Sequence, residues 1–279
     1  MDAGPKRTTM ALRQDLRDVI FQLVEDRKYR ATIIVEESGI LSGTGYLEQA
    51  SAALGIRLLK CRKDGTRVKK SDVVAVVEGS AKEIACAEEQ FLGWISKASG
   101  IATAAARARA DAGKRLKVVS GAWKKMPPPI KDMVRQAVLD GGLQFRISEP
   151  PFIYLDKNYV KILGGVEKAM KSASAWKGMI IIVQVKSQGH TLLTESLIAA
   201  NMGASIVMID TGRKEDIEEV DHALRKERLR DRVKIAFGGD VRIEDLTDLR
   251  KKPVEIVDIG KAIVDASLLD MRMDVLGKP

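Results

Sequence analysis

Aromatic residues are scarce in this chain, at 4% of its 279 residues. RNA recognition draws on aromatic faces for base stacking, and no segment here interleaves basic with aromatic residues. Nucleic acid is therefore not expected as a partner, although the net charge is +9. Cysteine is rarer still: Cys61 and Cys86 are single and distant, with no metal-ligand spacing. They read as buried reduced thiols of a cytoplasmic protein. No apolar run reaches the roughly 18 residues that a membrane span requires. The opening MDAGPKRTTMALRQ has no apolar signal core, so neither a membrane nor secretion is expected.

What is present is a globular composition, 45% hydrophobic and 30% charged, with length for one large domain or two ordinary ones. The surplus positive charge suits an anionic small molecule, or simple solvation. The stretch from Val118 to Asn158 organises the rest. Val118-Val119 reads as a strand, followed by a loop in which Lys124 and Lys125 precede Pro127, Pro128 and Pro129. A helix from about Lys131 carries Met133, Val134, Ala137 and Val138 on one face, and Gly141-Gly142 ends it. Gln144-Phe145-Arg146 and Phe152-Ile153-Tyr154-Leu155 then read as strands, with Arg146, Asp156 and Lys157 at their ends. Charged residues at successive strand ends mark the ligand side of barrels and open α/β sheets.

In chain order, residues 11–30 read as an amphipathic helix with Leu12, Leu16, Val19, Ile20, Leu23 and Val24 on its apolar face. A strand at 31–36, a helix at 45–54 and a strand at 56–59 follow. Residues 63–79 form a turn-and-strand meander with Asp-Gly punctuation, which suggests a small β sandwich. An alanine-rich helix spans about 80–112, interrupted near Ser99-Gly100. Beyond it strands and helices alternate, with strands at 180–186, 206–210, 233–237 and 256–260. Repeated units of this length imply parallel strands and a closed or nearly closed barrel of about seven strands. The expected fold is α/β: an N-terminal α/β sandwich over 1–112 and a seven-stranded α/β barrel over 113–279.

Gly238-Gly239 follows one of the final strands and Gly260 closes the next. Glycine there lets backbone N–H groups approach a phosphate, and the loops after the last two barrel strands are a frequent phosphate site.

Five pieces in register resemble the quinolinate phosphoribosyltransferase (nicotinate-nucleotide pyrophosphorylase, carboxylating) family. Glu36 to Gly43 is similar to the family's E-D-G-V-L-A-G, and Asp64-Gly65 through Gly79 to its D-G-x-x-V meander. Ser99-Gly100-Ile101-Ala102-Thr103 matches its S-G-I-A-T letter for letter. Ala236-Phe237-Gly238-Gly239 and Asp258-Ile259-Gly260 resemble its A-S-G-G and S-V-G. The resemblance runs from about residue 15 to 276. It implies a sandwich joined to an α/β barrel, working as a homodimer with shared active sites.

The family's chemistry transfers less completely than its fold. D-T-R-K-T-x-P-G-x-R lies over Ala122 to Lys131, so Lys125 is kept while arginines become Lys124 and Lys131. The H-R pair falls on Phe145-Arg146, and K-D-N-H on Asp156-Lys157-Asn158-Tyr159. An arginine that reaches the neighbouring subunit is replaced by Glu89, and the metal-side glutamate of V-E-V-E by Gln184; the strand-end aspartate stays as Asp210. Lysine replaces a planar bidentate arginine poorly, so a pyridine dicarboxylate is disfavoured. Lys125, Asp156 and Asp210 are the catalytic candidates. Lys124, Lys131, Arg146, Lys157 and Gln184 are the substrate-binding ones, and Gly238, Gly239 and Gly260 would cradle phosphate. Asp210 would reach a Mg2+ that keeps most of its waters. The expected function is transfer of phosphoribosyl to a nitrogen heterocycle other than quinolinate. The alternatives are other chemistry on a phosphorylated sugar or nucleotide, and a non-catalytic paralogue that binds one.

Overall fold

The computed structural model describes residues 15–187 and 189–277. The chain opens with α1 (Leu16–Ile20), a 3-10 turn over Gln22–Val24, and β1 (Lys28–Val35). The long amphipathic helix expected at 11–30 is thus one short helix and the start of a strand, and Leu12 lies outside the described residues. Leu16 and Leu23 point to solvent, 74% and 92% exposed. Then come β2 (Gly39–Ile40), α2 (Thr44–Leu54), β3 (Arg57–Cys61), β4 (Arg67–Val68) and β5 (Val73–Ser80). β5, β1 and β3 pair antiparallel, and β2 pairs with β4 beside them.

α3 (Ala81–Ala112) is continuous through Ser99-Gly100, where an interruption was expected. Ser80 starts it with a reciprocal cap: its side chain accepts from Glu83 N, and Glu83 accepts from Ser80 N at 2.7 Å. Its first half buries Ile84, Ala87, Phe91 and Ile95 against the N-terminal sheet. Its second half buries Ala98, Ala102, Ala105 and Ala108 in the core of the following domain. The side chains at 99 and 103 clamp the two together. Ser42 N donates to Ser99 Oγ at 3.0 Å, and Ile40 N to Thr103 Oγ1 at 2.9 Å.

The second unit runs β6 (Lys117–Val119), α4 (Lys131–Asp140), β7 (Phe152–Leu155), α5 (Lys157–Leu163), α6 (Val166–Ala173), β8 (Ile180–Val185), α7 (Leu192–Asn201), β9 (Ile206–Ile209), α8 (Glu215–Lys226), β10 (Lys234–Phe237), α9 (Leu246–Leu249), β11 (Ile256–Asp258) and α10 (Lys261–Val264). Six strands lie parallel in the order β6-β11-β10-β9-β8-β7. The seventh expected strand, 144–146, contributes a single parallel bridge from Gln144 to Val119. Ser120 N donating to Gln144 O at 2.8 Å extends that pairing by one bond. No pairing joins this segment to β7 among the described residues, so the barrel is open along one seam.

The last strand, β12 (Met271–Gly277), leaves the barrel and pairs antiparallel with β1, for instance Met273 with Ile33. It completes a sheet ordered β12-β1-β5-β3; sequence reading had left these residues with the barrel. The chain returns along α3, where Leu269 N donates to Ser96 O at 3.0 Å and Lys97 Nζ to Ala266 O at 2.9 Å. A Cβ at Gly100 would overlap the carbonyl oxygen of Ser267. Replacing Gly100 by alanine should therefore cost about 1–3 kcal/mol, the usual cost of overpacking. Denaturant unfolding checks it, and an unchanged midpoint would mean that this close approach is not essential.

Candidate functional site

Side chains alternate across a strand with a period of two. In the half-barrel, Val118, Val183, Val207, Ile235 and Val257 face outward into the helices. Val119, Ile182, Ile206, Met208, Ala236 and Ile256 face inward and pack on one another. Continuing the inward set past the apolar layer reaches Gly121, Asp156, Gln184, Lys186, Asp210, Asp258 and Gly260. These residues line one cavity of about 490 Å3 at the carboxyl ends of the strands, together with Lys124, Lys125, Lys157, Gly239, Asp240 and Lys261.

Five lysines and four aspartates thus share the cavity, with no arginine among its described lining. Asp210 is already engaged: its Oδ2 accepts from Gln184 Nε2 at 2.5 Å and from Lys186 Nζ at 3.1 Å. Gln184 Oε1 in turn accepts from Lys157 N at 2.7 Å. Asp156 caps α5, its Oδ1 accepting from Asn158 N at 2.8 Å and Tyr159 N at 3.0 Å. Asp258 Oδ1 accepts from Gly121 N at 2.9 Å. Burial pushes the Asp258 carboxyl above the usual range, with Asp210 adding to the rise while Gly121 N, Lys124 and Lys125 oppose it.

Among the described residues no three His, Cys, Asp or Glu side chains gather into a metal cage. With Oδ2 occupied, Asp210 fits one contact, through Oδ1, to a magnesium ion held mainly by other ligands.

Lys124, Lys125, Asp156, Lys157, Gln184, Asp210, Gly239 and Gly260 therefore line one cavity. Lys131 begins α4 and lines neither this cavity nor the one beside it. Gly238 is packed beneath Met208 Cε, while Gly239 reaches the cavity. Gly239 has φ +101°, and a Cβ there would stand 2.5 Å from Gly212 N. Close backbone packing thus accounts for this glycine as well. Arg146 lies apart from Lys125, in a second cavity of about 150 Å3.

That second cavity fills the open seam. It is lined by Val119 and Gly121 on one side, Phe152 and Tyr154 on the other, and Trp123, Phe145 and Arg146 across the gap. Trp123 and Phe145 meet edge to face with centroids 6.2 Å apart, and Trp123 Nε1 donates to Phe145 O at 3.0 Å. The Arg146 guanidinium stands 5.0 Å from the Phe145 ring centre, and Lys124 Nζ 5.2 Å from that of Tyr154. Lys124 and Asp258 line both cavities. Sequence reading missed Lys186, Asp240, Asp258, Lys261 and the aromatic lining. The available signal was the two-residue period, which carries Gln184 to Lys186 and Ile256 to Asp258.

Fold and site define a two-domain α/β protein with a lysine-rich cavity at the carboxyl ends of an open parallel barrel. The family descriptions "Quinolinate phosphoribosyl transferase, N-terminal domain" and "C-terminal domain" match residues 18–99 and 101–274. The chain belongs to the quinolinate phosphoribosyl transferase family. The probable nicotinate-nucleotide pyrophosphorylase (carboxylating) of Archaeoglobus fulgidus is 28% identical over 256 residues, 91% of this chain and 96% of that protein. The human nicotinate-nucleotide pyrophosphorylase (carboxylating) is 23% identical over 251 residues, 89% of this chain and 83% of its own. The crystal structure of NadC from Streptococcus pyogenes shares the fold with a TM-score of 0.76 at 23% identity, covering 91% of this chain and 88% of that one. No helix among the described residues is long and apolar enough to cross a membrane.

Asp258 supplies a stability test. Its carboxyl titrates higher in the folded chain than unfolded, so folding is favoured while it is protonated. That contribution is lost as pH rises through the raised folded value. Asp258→Asn removes the cost of the buried charge, so the variant should gain on the parent between about pH 4 and pH 7. Unfolding midpoints at both ends of that window check the sign. A variant that loses ground as pH rises would mean that the carboxylate is well compensated.

Proposed function

We propose that this chain transfers a phosphoribosyl group from phosphoribosyl pyrophosphate to the ring nitrogen of a heterocycle other than quinolinate. The ring nitrogen attacks C1 of the ribose, the bond from C1 to the pyrophosphate oxygen breaks, and pyrophosphate leaves with the electron pair. The observation that carries the reading is the convergence of Lys124, Lys125, Lys157, Lys186 and Lys261 on one strand-end cavity. Several ammonium groups at one concave site favour a polyanion and offset the charge that grows on its leaving group. Gly239 and Gly260 give the same cavity two approaches close to the backbone. The nicotinate-nucleotide pyrophosphorylase assignment of the relatives supports the phosphoribosyl half of the reading.

The acceptor half rests on the replacements. Lys124 and Lys131 stand where the family motif has arginine, and Lys131 lies away from the cavity. Glu89 is held by Arg17, whose Nη2 reaches both carboxylate oxygens at 2.6 Å. A glutamate there opposes a dicarboxylate brought to it from a neighbouring subunit. Asp156 and Asp210 are the carboxylates that would face the cationic ribose. A magnesium ion entering with the pyrophosphate would touch Asp210 and offset the phosphate charge. A homodimer belongs to this reading, supported by Leu16, Val19, Ile20 and Leu23 exposed on the segment beside Glu89.

Pyrophosphate release from phosphoribosyl pyrophosphate, measured across a panel of heterocycles, tests the proposal. Quinolinate should turn over far below an ordinary enzymatic rate of about 1 s⁻¹, and another ring nitrogen should do better. Release with quinolinate alone would overturn the acceptor assignment, and release with none would leave a protein that only binds its ligand. Lys125→Ala should weaken phosphoribosyl pyrophosphate by about 1.5–3 kcal/mol, the range for charged hydrogen bonds. Calorimetry reads this; unchanged affinity with a lowered melting temperature would make Lys125 structural.

A further inference from the structure

We infer, building on the phosphoribosyl-transfer reading, that the acceptor is a planar heteroaromatic base presenting an N–H donor to Asp258 and at most one carboxylate to Arg146. The placement of Asp258 carries this. It lines both the lysine-rich cavity and the aromatic seam cavity, so it stands where a ring held in the seam meets a ribose held at the strand ends. Oδ1 is fixed by Gly121 N at 2.9 Å. Oδ2 lies 3.1 Å from where a Cβ of Gly121 would be, so the missing side chain leaves the carboxylate its room. No described residue donates a hydrogen bond to Oδ2, which leaves an acceptor at the junction.

The walls agree with that acceptor. Trp123, Phe145, Phe152 and Tyr154 give the seam aromatic walls suited to a ring, with Arg135 standing 4.7 Å from the Trp123 ring centre. The indole N–H is spent on Phe145 O, so it does not compete for the ligand. Lys124 and Arg146 are the cations in the lining, and Asp258 is its carboxylate. One anionic substituent can be matched there. A second would face Asp258 across a cavity of about 150 Å3. A site built around a hydrogen-bond acceptor rejects a ligand without the donor, because the acceptor is then stranded away from water. In the family motif this position is serine, which can donate as well as accept; aspartate turns the same spot toward donors.

Neutral probes differing by one exocyclic amino group test the inference: 3-aminopyridine against pyridine, and adenine against purine, with quinolinate as the dicarboxylate. Calorimetric affinity is read with and without phosphoribosyl pyrophosphate, alongside pyrophosphate release. The donor-bearing member of a pair should bind about tenfold tighter or more, as one hydrogen bond to a charged group implies. Asp258→Asn, which sets an amide N–H toward the ligand, should erase that preference, and Asp258→Ser should also do so if the asparagine variant fails to fold. Equal binding within both pairs, no binding of any probe, or a preference that survives both variants would overturn the inference. The two readings separate cleanly. Donor preference lost in the variants without pyrophosphate release supports the base assignment and sinks transfer, whereas release without donor preference does the reverse.

Discussion

The two-residue period of a β-strand, imposed on parallel strands whose outer face is sealed by helices, governs this molecule. Outward valines and isoleucines bury against the helices, so every second residue is committed to the interior. Once the inner apolar layer of Ile182, Met208, Ala236 and Ile256 is full, the next inward positions have only the strand-end cavity to enter. A one-residue slip would exchange the two sets and bury the charges among the helices. Register is thus protected by the core, and the cavity inherits that protection.

Some of this could be read without coordinates. Asp156 and Asp210 stand out because each ends a short apolar run, where a carboxylate has no place in a core. Lys125 stands out because prolines stiffen the chain just beyond it. Lys131 misled because helix α4 turns it away, which depends on the path of a 3-10 segment over Pro128–Ile130. Arg146 keeps a place in a cavity, but not beside Lys125: its segment makes one bridge instead of a strand, so the side chain falls into the seam. A missing strand pair is a tertiary fact with no local signature. Ser99, Gly100 and Thr103 were legible as a matching motif, while their work as a clamp between α3 and the β2 segment was not.

Around Asp210 the charge arrangement departs from a metal-holding cluster. Gln184 in β8 and Lys186 just past its end sit two residues apart, and both turn to the Asp210 Oδ2. An ammonium group, that of Lys186, already balances the Asp210 carboxylate. On the proposed reading, the lysines elsewhere in the cavity would meet the incoming anion. On that reading, acceptor choice and phosphate holding would lie on separate walls, joined at Lys124 and Asp258.

The return of β12 to β1 gives the chain an order of events. Ile33 pairs with Met273, so the first sheet waits for all the barrel strands before its outer strand arrives. During synthesis β1 is left with an unpaired edge while the barrel strands are still being made, a state open to pairing with another chain. Closing so long a loop is slow. The pairing fastens β12 to β1, and loss of residues 271–277 would reopen that edge while the residues lining the two cavities remain.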